Sequence, residues 1–222
     1  MGKIFDLDSP IMVFLSRIAD LIILNLIALV CSIPIVTIGA SWTAVHYVTL
    51  KMTKNEDGYV MQSFWKSFKQ NFKQATILWL LVMCVIGVII GDFVILLYAD
   101  VAIPTVVKVL IMAVSVFVLI ACMYIFPVLS HFENTIKGTI KNSFLMSIIN
   151  LPWTVLMVII YCSPVIILFF STAAIPIIFL IGGSGPAYLA SLCWKKIFKK
   201  LDPEENETTD EYEELEIFKQ VD

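Results

Sequence analysis

The sequence predicts an all-α protein: a polytopic helical membrane bundle of five to six transmembrane helices, with two amphipathic helices on its cytoplasmic face. Three observations carry that expectation. Apolar residues make up 59% of the 222-residue chain and charged residues only 15%, against about a quarter charged in a soluble domain. A chain of this length cannot hide so much apolar surface from water by folding inward. The apolar residues also run unbroken instead of alternating in segments of about ten, which selects helices over a barrel as the way to satisfy the backbone in lipid. Finally, lysines gather in alternate connections, the pattern of cytoplasmic loops.

The spans follow in order from a requirement of about 20 apolar residues each. Residues 21–50 carry no formal charge apart from what His46 can hold, and this run is too long for one helix. Pro34 and Gly39 interrupt it, and proline removes a backbone donor and clashes with the preceding turn. A first span is expected at roughly 13–33, a break around 34–39, and a second helix ending near Met52. That second helix crosses the membrane only if it begins near Ile33; otherwise it is re-entrant. The next uncharged run starts at Gln74 and is read as continuing past Asp92 to Tyr98. Residues 109–131 make another span. Residues 142–194 carry no Asp, Glu, Lys or Arg and fit two helices with a turn near 171–175, kinked or broken by Pro164, Pro176 and the glycines 182, 183 and 185. A retained first helix is expected rather than a cleaved signal, because its apolar run is longer than a signal core and is flanked by Arg17 and Asp20. Asp6 stands where an N-myristoylation site needs Ser or Thr.

Charge fixes the expected orientation. Lys51, Lys54, Lys66, Lys69 and Lys73 lie in one connection, Lys137 and Lys141 in the next but one, and Lys195, Lys196, Lys199 and Lys200 after the last span. The alternate connections hold only Lys108. Six spans place every cluster and the N-terminus in the cytoplasm, whereas five put the N-terminus outside. The domain reading is a helical transmembrane domain over 1–200 and an acidic, disordered cytoplasmic tail over 201–222. From Asp202 onward the chain has ten acidic residues and one lysine, a net −9, against +6 for everything before it. Tyr212, Leu215, Ile217 and Phe218 interrupt the acidic run, and a short helix formed there would have a basic inner face to dock on.

Two connections carry matching amphipathic patterns. Phe64, Phe68 and Phe72 recur every four residues beside Lys66, Lys69 and Lys73. Seventy-two residues on, Ile136, Ile140 and Phe144 repeat the spacing beside Lys137 and Lys141. The reading is a duplicated unit of helix in, amphipathic helix along the inner face, and helix out, as in transporters built from parallel repeats; chance similarity between apolar segments is the alternative. Phe64, Phe68, Lys69, Phe72, Lys73, Ile140, Lys141 and Phe144 are therefore candidate docking residues, for anionic lipid or for a cytoplasmic partner.

Polar residues within apolar runs are costly and often functional. Asn25, His46 and Asp92 are the intramembrane candidates, read against blander roles: an interhelical hydrogen bond for Asn25, a packed histidine for His46 and interfacial exposure for Asp92. Asp20 sits three residues from Arg17 and is read as its interfacial partner. The five cysteines, at 31, 84, 122, 162 and 193, form no CxxC pair and read as small hydrophobes rather than as a disulfide framework. The patterns HExxH, GxSxG and Walker A are absent, and His46 and His131 have no ligand partners at motif spacing. Neither a catalytic set, a metal nor a cofactor is therefore expected, and an enzyme is the least favoured function.

Asp20-Leu, Leu24-Asn-Leu, the run Cys31-Ser-Ile-Pro-Ile-Val-Thr-Ile-Gly-Ala-Ser-Trp-Thr-Ala44 and Tyr47-Val-Thr-Leu-Lys51 together resemble the YesL-like family of bacterial integral membrane proteins. Phe64 and Ser67-Phe-Lys-Gln-Asn-Phe-Lys-Gln-Ala75 resemble its second signature. The likeness is specific over about 20–80 and extends beyond by hydropathy alone. It implies a multi-pass protein of the bacterial cell membrane in a carbohydrate-uptake context, near sugar ABC importers and two-component sensor kinases, and it brings no catalytic or binding residues. The acidic tail is not part of it. Two functions follow as expectations: an accessory component of a carbohydrate importer or sensor, contacting ABC transporter subunits or a sensor kinase; or a small solute transporter or channel acting as a homo-oligomer, using the broken helices with Asn25 and Asp92.

Overall fold

The structure is a computed structural model, and it describes residues 10–54, 56, 58–98, 104–132 and 134–201. The acidic stretch from Asp202 lies outside the described residues. Eight α-helices follow in order: α1 (Pro10–Cys31), α2 (Ile38–Thr53), α3 (Val60–Tyr98), α4 (Thr105–His131), α5 (Ile136–Ile149), α6 (Leu151–Phe170), α7 (Ile175–Ile181) and α8 (Ser184–Leu201). Short 3-10 turns at Ile35–Thr37 and Thr172–Ala174 precede α2 and α7.

Four helices, α1, α3, α4 and α6, are long and apolar enough to cross a membrane. The segments Thr172–Ile181 and Ser184–Lys199, bent by 60° at the glycine pair, make a fifth if counted as one broken span. Among the described residues no sixth helix of spanning length is found, because α2 begins at Ile38 and not near Ile33. Its 16 residues give about 24 Å of helix, short of a hydrocarbon core of about 30 Å.

Instead of facing lipid, α2 is the axis of the fold. Twelve of its sixteen residues are buried, and α1, α3, α4 and α8 pack around it. Small side chains allow this. A Cβ on Gly39 would lie 2.6 Å from both the Ala75 carbonyl oxygen and the Trp79 Cβ of α3. The backbones of α2 and α3 therefore meet at a point that only glycine fits. The α2 threonine hydroxyls find partners within the helix, Thr43 donating to the Gly39 carbonyl at 2.8 Å and Thr53 to that of Leu50 at 2.8 Å, while Ser41 donates across to the Ala28 carbonyl of α1 at 2.9 Å. The three apolar clusters of the core, around Leu24–Val45–Phe64, Ala40–Leu78–Ile125 and Leu50–Tyr124–Trp194, each include residues of α2.

The break between α1 and α2 falls where Pro34 denies the helix a donor. Trp79 Nε1 donates to the Ile35 carbonyl at 2.8 Å and anchors the turn against α3. From Trp79, α3 continues 19 residues to Tyr98, about 28 Å of helix. The outer arms 83–98 of α3 and 105–119 of α4 contain no buried residue. Uncovered apolar helix of this extent is rare on water-soluble monomers, and it fits these arms to a lipid environment.

Phe64–Lys73 forms the first third of α3, continuous with the span that follows, and is not a separate helix. No breaker separates Phe72 from Ile77. The matching segment 72 residues on is a helix of its own, α5, closed at Asn150 before Leu151-Pro152 starts α6. Proline is tolerated at that position because the first turn of a helix has no partner for its N–H.

The close approach at Gly39 is open to test by comparison with Gly87, where an added Cβ meets nothing within 4 Å. Gly39→Val should destabilise the protein by about 1–3 kcal/mol or more and broaden its size-exclusion profile in detergent. Gly87→Val should leave both unchanged.

Candidate functional site

Two polar features stand out: the lysine-bearing end of the bundle, and the joint between α1 and the broken α7–α8 pair. The C-termini of α2, α4 and α8 and the N-termini of α3 and α5 meet at one end. There Lys195 Nζ donates to the Thr53 carbonyl at 3.1 Å, a cation placed where a helix C-terminus favours it. The His131 ring stacks on Phe198 at 4.2 Å, and Lys51 and Lys196 lie over the rings of Tyr47 and Trp153.

The docking candidates separate into two groups. Phe64 is fully buried, with Leu24, Val45 and Met52 around it, so it is unavailable to lipid or to a partner. Phe68 is half-buried between two core clusters, and Ile140 packs against the cluster of Ala75 and Leu78. The rings of Phe64, Phe68 and Phe72 form a ladder with centroids 5.8 and 5.5 Å apart. Only its last rung, Phe72, emerges, with Trp65 beside the ladder, each about 40% exposed. Lys69, Lys73 and Lys141 are exposed. Phe144 is exposed but faces α4, edge-on to Phe117 at 5.2 Å, so it does not join Phe72 in one patch. The every-fourth-residue pattern marked an apolar face correctly, but most of that face is turned to the core.

The flanks of α3 differ. Towards α1, Trp65, Phe68 and Phe72 line an apolar groove with Leu26, Val30 and Pro34. Towards α4 and α5, Lys66, Gln70, Lys73 and Gln74 line a polar groove with Ser130 and Asn134. Gln74 Nε2 donates to the Asn134 carbonyl at 3.1 Å and ties its walls together. Asn71 donates to Ser67. The sequence reading passed over this second groove, although the polar run Gln70-Asn71 with Gln74 on the lysine side of the helix was its signal.

Asn25 is buried and fully engaged. Its Nδ2 donates to the Phe179 carbonyl of α7 at 2.9 Å, and its Oδ1 accepts from the backbone amides of Gly183 and Ser184 at 3.1 and 3.0 Å. One side chain from α1 thus serves both a carbonyl left at the end of α7 and the amides that open α8, groups a helix end cannot satisfy itself. Ser184 Oγ adds a bond to the Leu21 carbonyl at 2.7 Å. Gly183 is required there, since a Cβ would sit 2.7 Å from Asn25 Oδ1. Asn25 is therefore an interhelical clasp.

His46 is buried between Trp42, edge-on at 5.4 Å, and Tyr161, whose hydroxyl is 3.5 Å from Nε2, the outer limit of a hydrogen bond. This is a packed aromatic cluster joining α2 to α6. Asp92 is half-buried on the outer arm of α3, away from Asn25 and His46, so the three intramembrane candidates do not converge. All five cysteines are free, with Cys193 buried, Cys31 and Cys122 half-buried, and Cys84 and Cys162 exposed. Among the described residues no three His, Cys, Asp or Glu groups are placed to hold a metal.

The clasp predicts coupled energetics. Asn25→Ala should cost about 1–3 kcal/mol, the penalty of stranding buried backbone groups. Gly183→Ala should also destabilise, but the double variant should lose less than the sum, as measured by unfolding in mixed micelles. Comparison with known proteins finds a family model described as "Protein of unknown function, DUF624" that matches residues 21–93, from α1 through α2 to the outer arm of α3. No curated protein matches the chain, and no solved structure does.

Proposed function

We propose that this chain is an integral membrane accessory protein of a carbohydrate-uptake (ABC importer) or sensing system, with its lysine-bearing end in the cytoplasm serving as the docking face. The observation that carries this reading is the exposure of aromatic and cationic side chains on the cytoplasmic half of α3, at Trp65, Lys69 and Phe72, with Lys141 exposed on α5. Aromatic side chains such as Trp65 and Phe72 are enriched at the centres of protein interfaces, and rim lysines such as Lys69 and Lys141 steer a partner of opposite charge. The similarity of residues 21–93 to a family of unknown function fits the YesL-like resemblance, which supplies the carbohydrate context.

The alternative, a homo-oligomeric solute transporter, draws on broken helices whose freed backbone groups bind solute. At the α7–α8 break those groups are already held by Asn25, and Asp92 lies away on the outer arm of α3. That weakens the transporter reading and favours a docking role.

A photoreactive amino acid at position 69 or 141, in the native host, should give adducts with permease, ATPase or sensor-kinase subunits. These should be lost with Phe72→Ala. Adducts confined to lipid and to other copies of the chain would count against the accessory role. For the orientation, a green fluorescent protein fused to the C-terminus should fluoresce, while a fused alkaline phosphatase should be inactive; the reverse pair of results overturns it.

A further inference from the structure

We propose that the polar groove between α3, the end of α4 and the start of α5 is a binding site for a phosphate group. The groove has a volume of about 690 Å³, within the range of small-molecule sites. Lys66 and Lys73 are seven residues apart, two turns of α3 and about 10 Å along its axis, so both ammonium groups lie on one wall with Gln70 between them. Ser130, Asn134 and Thr135 form the other wall. Among the described residues the lining contains no carboxylate, and neither Lys66 nor Lys73 has an ion-pair partner.

Two cations with no ion-pair partner among the described residues, facing the Thr135 hydroxyl and the Asn134 amide while Ser130 Oγ donates to the Pro127 carbonyl, ask for a compact anion of more than one charge. A phosphate ester supplies about −1.5 to −2 and three acceptor oxygens; a single carboxylate supplies one charge and two oxygens. The start of α5 adds to the field: Thr135 caps it by accepting from Gly138 N, and the amides of Ile136 and Lys137 have no partner within the helix. The bond from Gln74 to Asn134 keeps the walls at a fixed separation, so the site is built before a ligand arrives. Its residues differ from the exposed docking set, so it stands independently of the accessory role. The phosphate belongs either to a soluble ester or to a lipid headgroup.

The full-length protein in detergent is titrated with inorganic phosphate against chloride at matched ionic strength, and separately placed in phosphatidylcholine nanodiscs with and without phosphatidic acid, the lipid whose headgroup is a phosphate monoester. Hydrogen exchange over 66–74 and 134–138 is the readout. Protection should rise with phosphate but not with chloride, or with phosphatidic acid; the arm that responds names the source. Lys66→Gln with Lys73→Gln should weaken the response roughly tenfold or more, Lys66→Arg with Lys73→Arg should retain it, and Lys108→Gln, at the far end of α4, should leave it unchanged. Glu133, beside Asn134 in the chain, lies outside the described residues; Glu133→Gln should leave binding unchanged or tighten it. The proposal is overturned if neither probe protects the groove, if the double glutamine variant responds like the wild type, or if Glu133→Gln abolishes binding.

Discussion

Backbone polar groups in apolar surroundings must find partners within the protein, and this chain meets that constraint at its weakest joint with one side chain. The chain leaves α7 and restarts as α8 across two glycines, which strands a carbonyl and two amides where no water is guaranteed. Asn25 reaches across from α1 and takes all three. Asparagine suits the task because its donor and acceptor are separate atoms at the end of the side chain, whereas the single oxygen of a serine or threonine would have to reach the carbonyl and both amides from one shorter arm. The bend of 60° is thus held by α1, the most distant helix in sequence. The first and last thirds of the chain are joined through this contact, with Ser184 and Leu21 as its second stitch.

The same constraint explains the central helix. A helix with few large apolar side chains gains little by facing lipid, and one of 16 residues cannot traverse it. Placed inside, its small residues become an advantage. Gly39, Ala40 and Ala44 let neighbouring backbones approach, as small residues do in membrane helix contacts. Its threonine hydroxyls are satisfied locally by carbonyls one turn back, and only Ser41 reaches to α1. The pairing with α8 runs parallel, as the contacts of Thr49 with Ser191 and Thr53 with Lys195 show. The opening hairpin of α1 and α2 therefore returns the chain to the lysine-bearing end without a second full crossing.

Much of this was legible in the sequence. Long uncharged runs gave the helices, Pro34 gave the first break, the glycines near 182 gave the last, and Asn25 was correctly read as an interhelical hydrogen-bond residue. What failed was inference from periodicity to environment. The Phe64, Phe68, Phe72 series states that three rings share a face, but in a membrane protein both core and lipid are apolar, so the pattern carries no information about which of them the face meets. The structure turns Phe64 inward and leaves Phe72 out. The partners of Asn25 were equally invisible, because Phe179, Gly183 and Ser184 contribute through backbone groups that every residue has. Charge was more informative than hydropathy at this level: the lysines separated from the core correctly, and the polar groove lies where the amide side chains follow them.

The outer arms of α3 and α4 have a consequence for biogenesis. Since no side chain in 83–98 or 105–119 is buried, these stretches draw little from the rest of the bundle beyond contacts such as Ile86 with the Ala75 and Leu78 cluster and Phe117 with Phe144, and hydrocarbon suits most of their surface. They are suited to enter the bilayer early, as an autonomous pair, before α8 exists to meet Asn25. Assembly of the remaining helices then takes place against an already anchored stem, and the contact that locks the fold is among the last that synthesis makes available.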